Sequence, residues 1–331
     1  MLSPRIWPGF MLNFRRANGK SGVAVHHRKT QTRAVGLVIV HRMPEQAART
    51  LFTLSTAYQI GVTEEDYEII VVENASDLPL GEPRSRQHAK NQSYYYREDG
   101  RKSPVFAVNF GVAQAKADHV AILIDGARML SPGVIRHTLA ALRAAPDAVV
   151  SVPGYHLGTE LQQVAVNKGH DQAADAALLH SIGWPQDGYR LFDIAVLSGS
   201  SRHGFFRPHA ESNFLAVSRA KWHAVGGMDA RYDDLGGGMA NLDLYKRLLE
   251  SDGSPIYLLF AEGTFHQFHG GITTNTRTAE RDTIMQAIAE QDAAIRGTDT
   301  AVPGNTAILF GTPHPGVYRF VELSLRHGKK R

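Results

Sequence analysis

The 331-residue chain contains no cysteine. Disulfides, thiolate metal sites and cysteine nucleophiles are therefore excluded, while the compartment is left open. No run approaches the roughly 18 apolar residues of a membrane span, so no transmembrane helix is expected. The N-terminus also lacks a secretory pattern. Its apolar stretch from Ile6 to Leu12 is broken by Pro8 and Gly9, and no small-residue cleavage site follows. Cytoplasm is the default expectation. No G-x-G-x-x-G follows the first apolar run, which argues against a dinucleotide or methyl-donor site. His41-Arg-Met-Pro44 is likewise no Gly-rich phosphate loop of the nucleotidyltransferase kind. Sixteen histidines are present, but H-E-x-x-H is not.

Acid is missing from one end. Residues 1–33 carry Arg5, Arg15, Arg16, Lys20, Arg28, Lys29 and Arg33 with no Asp or Glu, and residues 321–331 are also basic. A net charge of +4 then leaves the body between them acidic. Nucleic-acid binding needs a basic stripe on the fold, so this class is disfavoured. Basic ends of this kind suit solvated tails or peripheral contact with an anionic membrane, at roughly 1 kcal/mol per basic residue near the surface.

Composition is otherwise that of a globular domain, with 43% hydrophobic and 21% charged residues. The run from Ala34 to Val40 reads as a buried parallel strand. Pro44 opens a helix with apolar positions at Ala47, Leu51, Leu54 and Tyr58, expected to reach Gln59. Strands are expected at 67–72, 93–96, 119–124, 149–152, 214–217 and 256–260. Helices are expected at 105–117, 132–144, 220–225, 242–251 and 278–296. Residues 154–212 read as irregular, with a mobile loop at 198–204, and 297–331 as a Pro/Gly-punctuated extension. No internal repeat is visible.

Strand–helix alternation implies an α/β fold with a mostly parallel sheet flanked by helices. Ligands in such sheets sit at the strands' carboxyl ends, here His41, Arg42, Glu73, Asn74, Asp125 and Gly126. A sugar nucleotide needs polar groups for base and ribose and charge compensation for its diphosphate. Its acceptor needs a general base.

Several segments, in order, resemble family 2 glycosyltransferases of the GT-A type. Val71-Val-Glu-Asn-Ala-Ser76 is similar to the turn that holds the nucleoside. Asn109-x-Gly111 followed by Ile122-Leu-Ile-Asp-Gly-Ala127 resembles the approach to the DxD motif. Gly226-Gly-Met-Asp229, Gly238 and Asp243-Leu-x-x-Arg247 look like a galactosyltransferase-type acceptor-side signature. His266-Gln-Phe-His269 resembles the late histidine of the metal site. The likeness spans about residues 34–275, giving a Rossmann-like nucleotide half and an acceptor half. Residues 1–33 would be a flexible leader, and 276–331 a C-terminal helix and extension.

The resemblance implies sugar transfer from a nucleotide-sugar donor, a UDP-sugar being favoured, to a carbohydrate or lipid-linked acceptor by metal-assisted inversion. It implies Mn²⁺ or Mg²⁺ at Asp125, His266 and His269, donor contacts from His41, Arg42, Glu73, Asn74, Asp125 and Gly126, and acceptor-side roles for Gly227, Asp229 and Gly238. Three departures stand out. Glu73 replaces the first-site Asp, Ala127 removes the second DxD carboxylate, and Asn241 stands at the expected base. An amide cannot take a proton at neutral pH, so Asn241 can only position a hydroxyl. The base is then sought at Asp243, Glu211 or Asp234, and Arg42 or Arg128 could replace the charge lost with the second acid. The alternative is a non-catalytic sugar-nucleotide-binding or scaffold domain.

Overall fold

Continuous apolar segments that can be buried on both faces form the centre of the molecule. The computed structural model describes residues 34–40 (backbone), 43–123, 125–207, 209–251, 253–297 and 306–328. The first half runs β1 (Ala34–Val40), α1 (Pro44–Leu54), β2 (Tyr67–Asn74), α2 (Glu82–Arg86), β3 (Gln92–Arg97), α3 (Val105–Gln114), β4 (His119–Leu123), β5 (Arg128–Leu130), α4 (Val134–Ala144) and β6 (Val149–Ser151). The chain continues through β7 (Gly154–Leu157), α5 (Gln162–Ala165), α6 (Gln172–Ser181), β8 (Ala195–Leu197), β9 (Phe214–Ser218), α7 (Arg219–Ala224) and α8 (Ala240–Glu250). It closes with β10 (Ile256–Leu259), β11 (Thr264–His266), α9 (Thr278–Arg296), β12 (Ile308–Phe310) and α10 (Tyr318–Gly328).

Eight strands make one sheet in the order β12-β10-β6-β9-β4-β1-β2-β3. All neighbours are parallel except β9, which runs antiparallel to both β4 and β6. The expected mostly parallel sheet is therefore present, with one reversed strand at its heart. Strand periodicity sorts alternate side chains onto two helical layers. Ile69 and Val71 meet α1 and α4 through Leu51, Leu54, Leu139 and Leu142. Ile70 and Val72 meet α3 and α8 through Val108, Val112, Leu244 and Leu248.

A second sheet, β5-β11-β7-β8, leaves no pattern in the sequence. Its strands of three or four residues are too short to show a period. It covers a third core of Tyr155, Phe192, Phe265 and Phe320. The 297–331 segment is more than an extension. Within it β12 pairs parallel with β10, and α10 seats Phe320 in that third core.

Two helices stop early for visible reasons. The first ends at Leu54, and Gln59 turns back to donate to the carbonyls of Thr53 and Ser131 at 2.8 and 3.0 Å. The third ends at Gln114, where the N–H groups of Lys116 and Ala117 go to the Glu68 carboxylate at 2.7 and 3.0 Å. Among the described residues no helix is long and apolar enough to cross a membrane.

Candidate active site at the carboxyl edge of the sheet

Asp125 lies two residues beyond the end of β4. Its Oδ1 accepts the Ala127 N–H at 2.9 Å, and its Oδ2 lies 3.2 Å from Arg128 Nε. Burial pushes the carboxyl pKa up. The Arg128 charge opposes it, helped by His269 and the Ala127 N–H, and the net direction is down. Asp125 is therefore an anion at neutral pH. Ala127 is fully buried, so the position of the missing second DxD acid faces the core rather than the edge. Arg128 is 6% exposed, and its Nη1 is buried without a hydrogen-bond partner.

The small sheet brings two histidines to Asp125 across a long sequence separation. His266 ends β11, whose register sets it opposite Arg128 of β5 and His156 of β7. Its Nε2 lies 3.0 Å from His269 Nε2 and 4.0 Å from Asp125 Oδ2. One donor atom from each of Asp125, His266 and His269 falls within 4.8 Å of the others. Burial, then the Arg128 charge, pushes His266 well below its ordinary pKa, so the ring is neutral. One carboxylate oxygen with two imidazole nitrogens, that of His266 neutral, is a donor set that suits a borderline divalent cation. The residues present fit the expected metal.

The loop carrying these histidines is held from several sides. Gln162, fully buried, contacts His266 at both its ring and its carbonyl. Gln46 donates to the Phe268 carbonyl at 2.8 Å, Asp175 accepts the Phe268 N–H, and Asn275 accepts those of His269 and Gly271. Neither Gln162 nor His156 carried a local motif. Their roles arise from contacts about a hundred residues apart in the chain.

On the nucleoside side the two strand-end residues are held by contacts with the protein itself. Glu73 is fully buried, with its oxygens accepting the N–H of Leu80 at 3.0 Å and the hydroxyl of Tyr94. Asn74 donates to the Arg101 carbonyl at 2.8 Å and accepts the Arg101 N–H at 3.3 Å. Both side chains brace the loops that flank the strand end. Burial and the Glu73 carboxylate keep the Tyr94 phenol protonated. The carbonyl of Gly126 accepts from Thr50 at 2.8 Å, tying the Asp125 turn to α1. His41 and Arg42 lie outside the described residues.

The acceptor-side signature divides into two groups. In the first, Asp243 is 8% exposed and ion-paired to Arg247 at 2.7 Å and Arg296 at 2.6 Å. Arg247 also donates to the carbonyls of Val225 and Gly227, and Asn109 binds the Met228 backbone from both sides. Asp229 pairs with Arg231 and Arg296, both at 2.6 Å. The Arg231 hydrogen bond is the main reason its carboxyl lies far below the usual range. Asp243, through Arg247, is therefore part of a clamp on the Gly226-Gly227 turn, with both of its carboxylate oxygens engaged by arginines. Gly238 has φ +51°, and a Cβ there would sit 3.1 Å from Gln291 Oε1, so its role too is one of shape.

In the second group, Asn241 Nδ2 in the first turn of α8 donates to Glu211 Oε2 at 2.6 Å. Glu211 is partly exposed and lies three residues before β9. Because β9 is reversed, its first residue Phe214 pairs with Leu123, the last residue of β4. The chain thus delivers Glu211 to the same sheet edge as Asp125.

Comparison with known proteins agrees with this architecture. A family model described as glycosyltransferase like family 2 matches residues 38–254. Among solved structures, the mannosyltransferase PcManGT from Pyrobaculum calidifontis, in complex with GDP-Man and Mn²⁺, is 14% identical, with 91% of this chain and 71% of that chain covered and a TM-score of 0.48. S. aureus TarS 1–349 is 11% identical, with 81% and 73% covered and a TM-score of 0.45. Its complex with UDP is similar at 11% identity, 80% and 73% coverage and a TM-score of 0.44. None of the curated proteins matches the chain. With its model spanning most of the sequence, including Asp125, Glu211 and Asn241, the chain belongs to the glycosyltransferase-like family 2 and is a transferase of the GT-A fold.

Proposed function

We propose that this transferase moves a glycosyl unit from a nucleoside diphosphate sugar to an acceptor hydroxyl by single inverting displacement, with Glu211 as general base. The observation that carries the reading is the register Leu123↔Phe214, which sets Glu211 and the Asp125 turn at one sheet edge. Asn241, where the family's base is expected, keeps its place in the site as the donor that orients Glu211. An amide N–H donated to one carboxylate oxygen fixes where the Glu211 carboxylate points. Glu211 takes the acceptor hydroxyl proton as that oxygen forms the new bond to the anomeric carbon, and the nucleoside diphosphate leaves from the opposite face.

Asp125, His266 and His269 would hold a divalent cation such as Mn²⁺, which would supply charge compensation to the diphosphate. Arg128, 6% exposed and beside Asp125, adds a fixed positive charge beneath the same turn. A guanidinium cannot ligate a cation, so its contribution would be charge compensation toward the diphosphate. The Glu73 and Asn74 braces shape the loops against which base and ribose would rest.

The test is release of free nucleoside diphosphate from UDP-, GDP- and dTDP-sugars with a panel of carbohydrate and lipid-linked acceptors, with and without Mn²⁺. Release by the unsubstituted protein, lost in Glu211→Gln and reduced in Asp125→Asn, supports the reading. Donor binding without release from any donor would reject the base assignment. No thermal stabilisation by any donor would reject the nucleotide site, since a ligand at 100 times its dissociation constant adds about 2.7 kcal/mol.

A further inference from the structure

We infer that Gln162 is a positioning residue that fixes the tautomer of His266 and so sets the cation affinity of the site. The inference rests on the cation reading of Asp125, His266 and His269 given above. Gln162 opens the short helix α5 and is fully buried. Its Nε2 donates to the main-chain carbonyl of His266 at 3.0 Å. A carbonyl oxygen can only accept, so this contact fixes which end of the amide faces it. The other end, Oε1, then faces His266 Nδ1 at 2.5 Å and also accepts from Asn275 Nδ2 at 3.3 Å.

An amide oxygen cannot donate, so His266 Nδ1 must carry the ring proton. The lone pair is left on Nε2, the atom that faces His269 and Asp125. One buried side chain thus holds the residue at its backbone and at its ring. It aims a neutral nitrogen where a cation would be bound. Gln162 is itself anchored, because its own N–H donates to His156 Nδ1 at 3.0 Å on the neighbouring strand β7. Outer partners of this kind orient a ligating imidazole, and their loss costs about 10–100-fold in metal affinity.

Two variants separate the tautomer from mere packing. Gln162→Leu removes both contacts with similar volume. Gln162→Glu keeps an acceptor opposite Nδ1–H, loses the donor to the carbonyl and adds a buried carboxylate, so it is read by tautomer rather than by affinity. Full-length protein labelled with ¹⁵N-histidine is examined by two-bond ¹H–¹⁵N spectra, with the His266 signals assigned by their loss in His266→Asn. Free Mn²⁺ is followed by electron paramagnetic resonance during titration. The expected result is Nδ1–H at His266 in the unsubstituted protein and in Gln162→Glu, and a mixed or Nε2–H ring in Gln162→Leu, with Mn²⁺ affinity about 10–100-fold lower in Gln162→Leu. An unchanged Nδ1–H ring and unchanged Mn²⁺ affinity in Gln162→Leu would overturn the inference. Failure of the unsubstituted protein to bind Mn²⁺ would instead overturn the cation reading, while the spectra still decide the tautomer. Should Gln162→Leu not fold, Gln162→Glu and Asn275→Ala carry the test. The first must retain Nδ1–H. The second removes one donor to Gln162 Oε1 and also the acceptor of the His269 and Gly271 N–H groups, so it is read by tautomer alone: Nδ1–H must persist, and a proton on Nε2 overturns the inference.

Discussion

At the scale of single residues, Glu211 and Asp125 differ in what surrounds them, and their substitutions should behave differently. Glu211→Gln keeps an oxygen for Asn241 to donate to but removes the proton acceptor. We expect transfer to fall about 10²–10⁴-fold, the usual range for a lost general base, with donor-induced thermal stabilisation retained. Equal turnover in the two proteins would remove Glu211 from the mechanism. Asp125 also neutralises Arg128, which is buried beside it. Asp125→Ala leaves that guanidinium without its anion, at a cost of about 3–5 kcal/mol, so the melting temperature should drop by several degrees. Asp125→Asn should melt closer to the unsubstituted protein while still losing Mn²⁺ affinity. Melting temperatures of both variants equal to that of the unsubstituted protein would show that the Arg128 pair is energetically idle.

At the scale of elements, the turn between α7 and α8 is where sequence pattern and structural role diverge. The Gly-Gly-x-Asp signature invited a substrate role, yet Gly227 sits at φ +64° with Trp222 and Asn109 atoms 3.0 Å from where a Cβ would stand. Gly227→Ala combines an unfavourable backbone region with a tight contact and should cost about 1–3 kcal/mol in denaturant unfolding. A variant as stable as the unsubstituted protein would show that the turn relaxes freely. The loop of His266 and His269 has its own dependence on pH. His170 Nε2 is 2.8 Å from Asp175 Oδ1, and Asp175 Oδ2 accepts the Phe268 N–H. The Asp175 hydrogen bond raises the His170 pKa against the opposing effect of burial. A raised folded-state pKa stabilises fully below the unfolded value of about 6.5, and the gain is lost as pH rises through the folded value. The stability advantage of the unsubstituted protein over His170→Gln should therefore shrink between pH 6 and pH 9. Parallel curves across that interval would contradict this.

The elements also show how far a sequence reveals a site. Asp125, His266 and His269 were visible because strand ends and paired histidines leave local marks, and the structure brings all three together. Glu73 and Asn74 were equally visible, but nothing local says whether a strand-end side chain turns outward or binds the next loop. The pairs Asn109 with Met228 and Gln162 with His266 join residues more than a hundred positions apart, which no periodicity encodes.

For the whole molecule, the long apolar strands of the main sheet were legible, and the small sheet was not. Its stability comes from the aromatic cluster beneath it rather than from strand propensity. Tyr155, Phe265 and Phe192 meet there, and Phe320 of α10 completes the group at 4.9 Å from Tyr155. Phe320→Ala should cost about 3–5 kcal/mol, the usual range for emptying a buried phenyl site. A loss below 1 kcal/mol by chemical denaturation would place α10 outside the cooperative core. The same helix reaches toward the proposed chemistry. Ser324 Oγ accepts the Phe205 N–H at 3.1 Å, and the Gly204 carbonyl accepts from His209 Nε2 at 2.9 Å, two residues before Glu211. An affinity handle or fluorescent fusion placed after α10 is therefore attached to a helix in contact with the segment that leads to Glu211, so its linker length is an experimental variable in any assay of turnover.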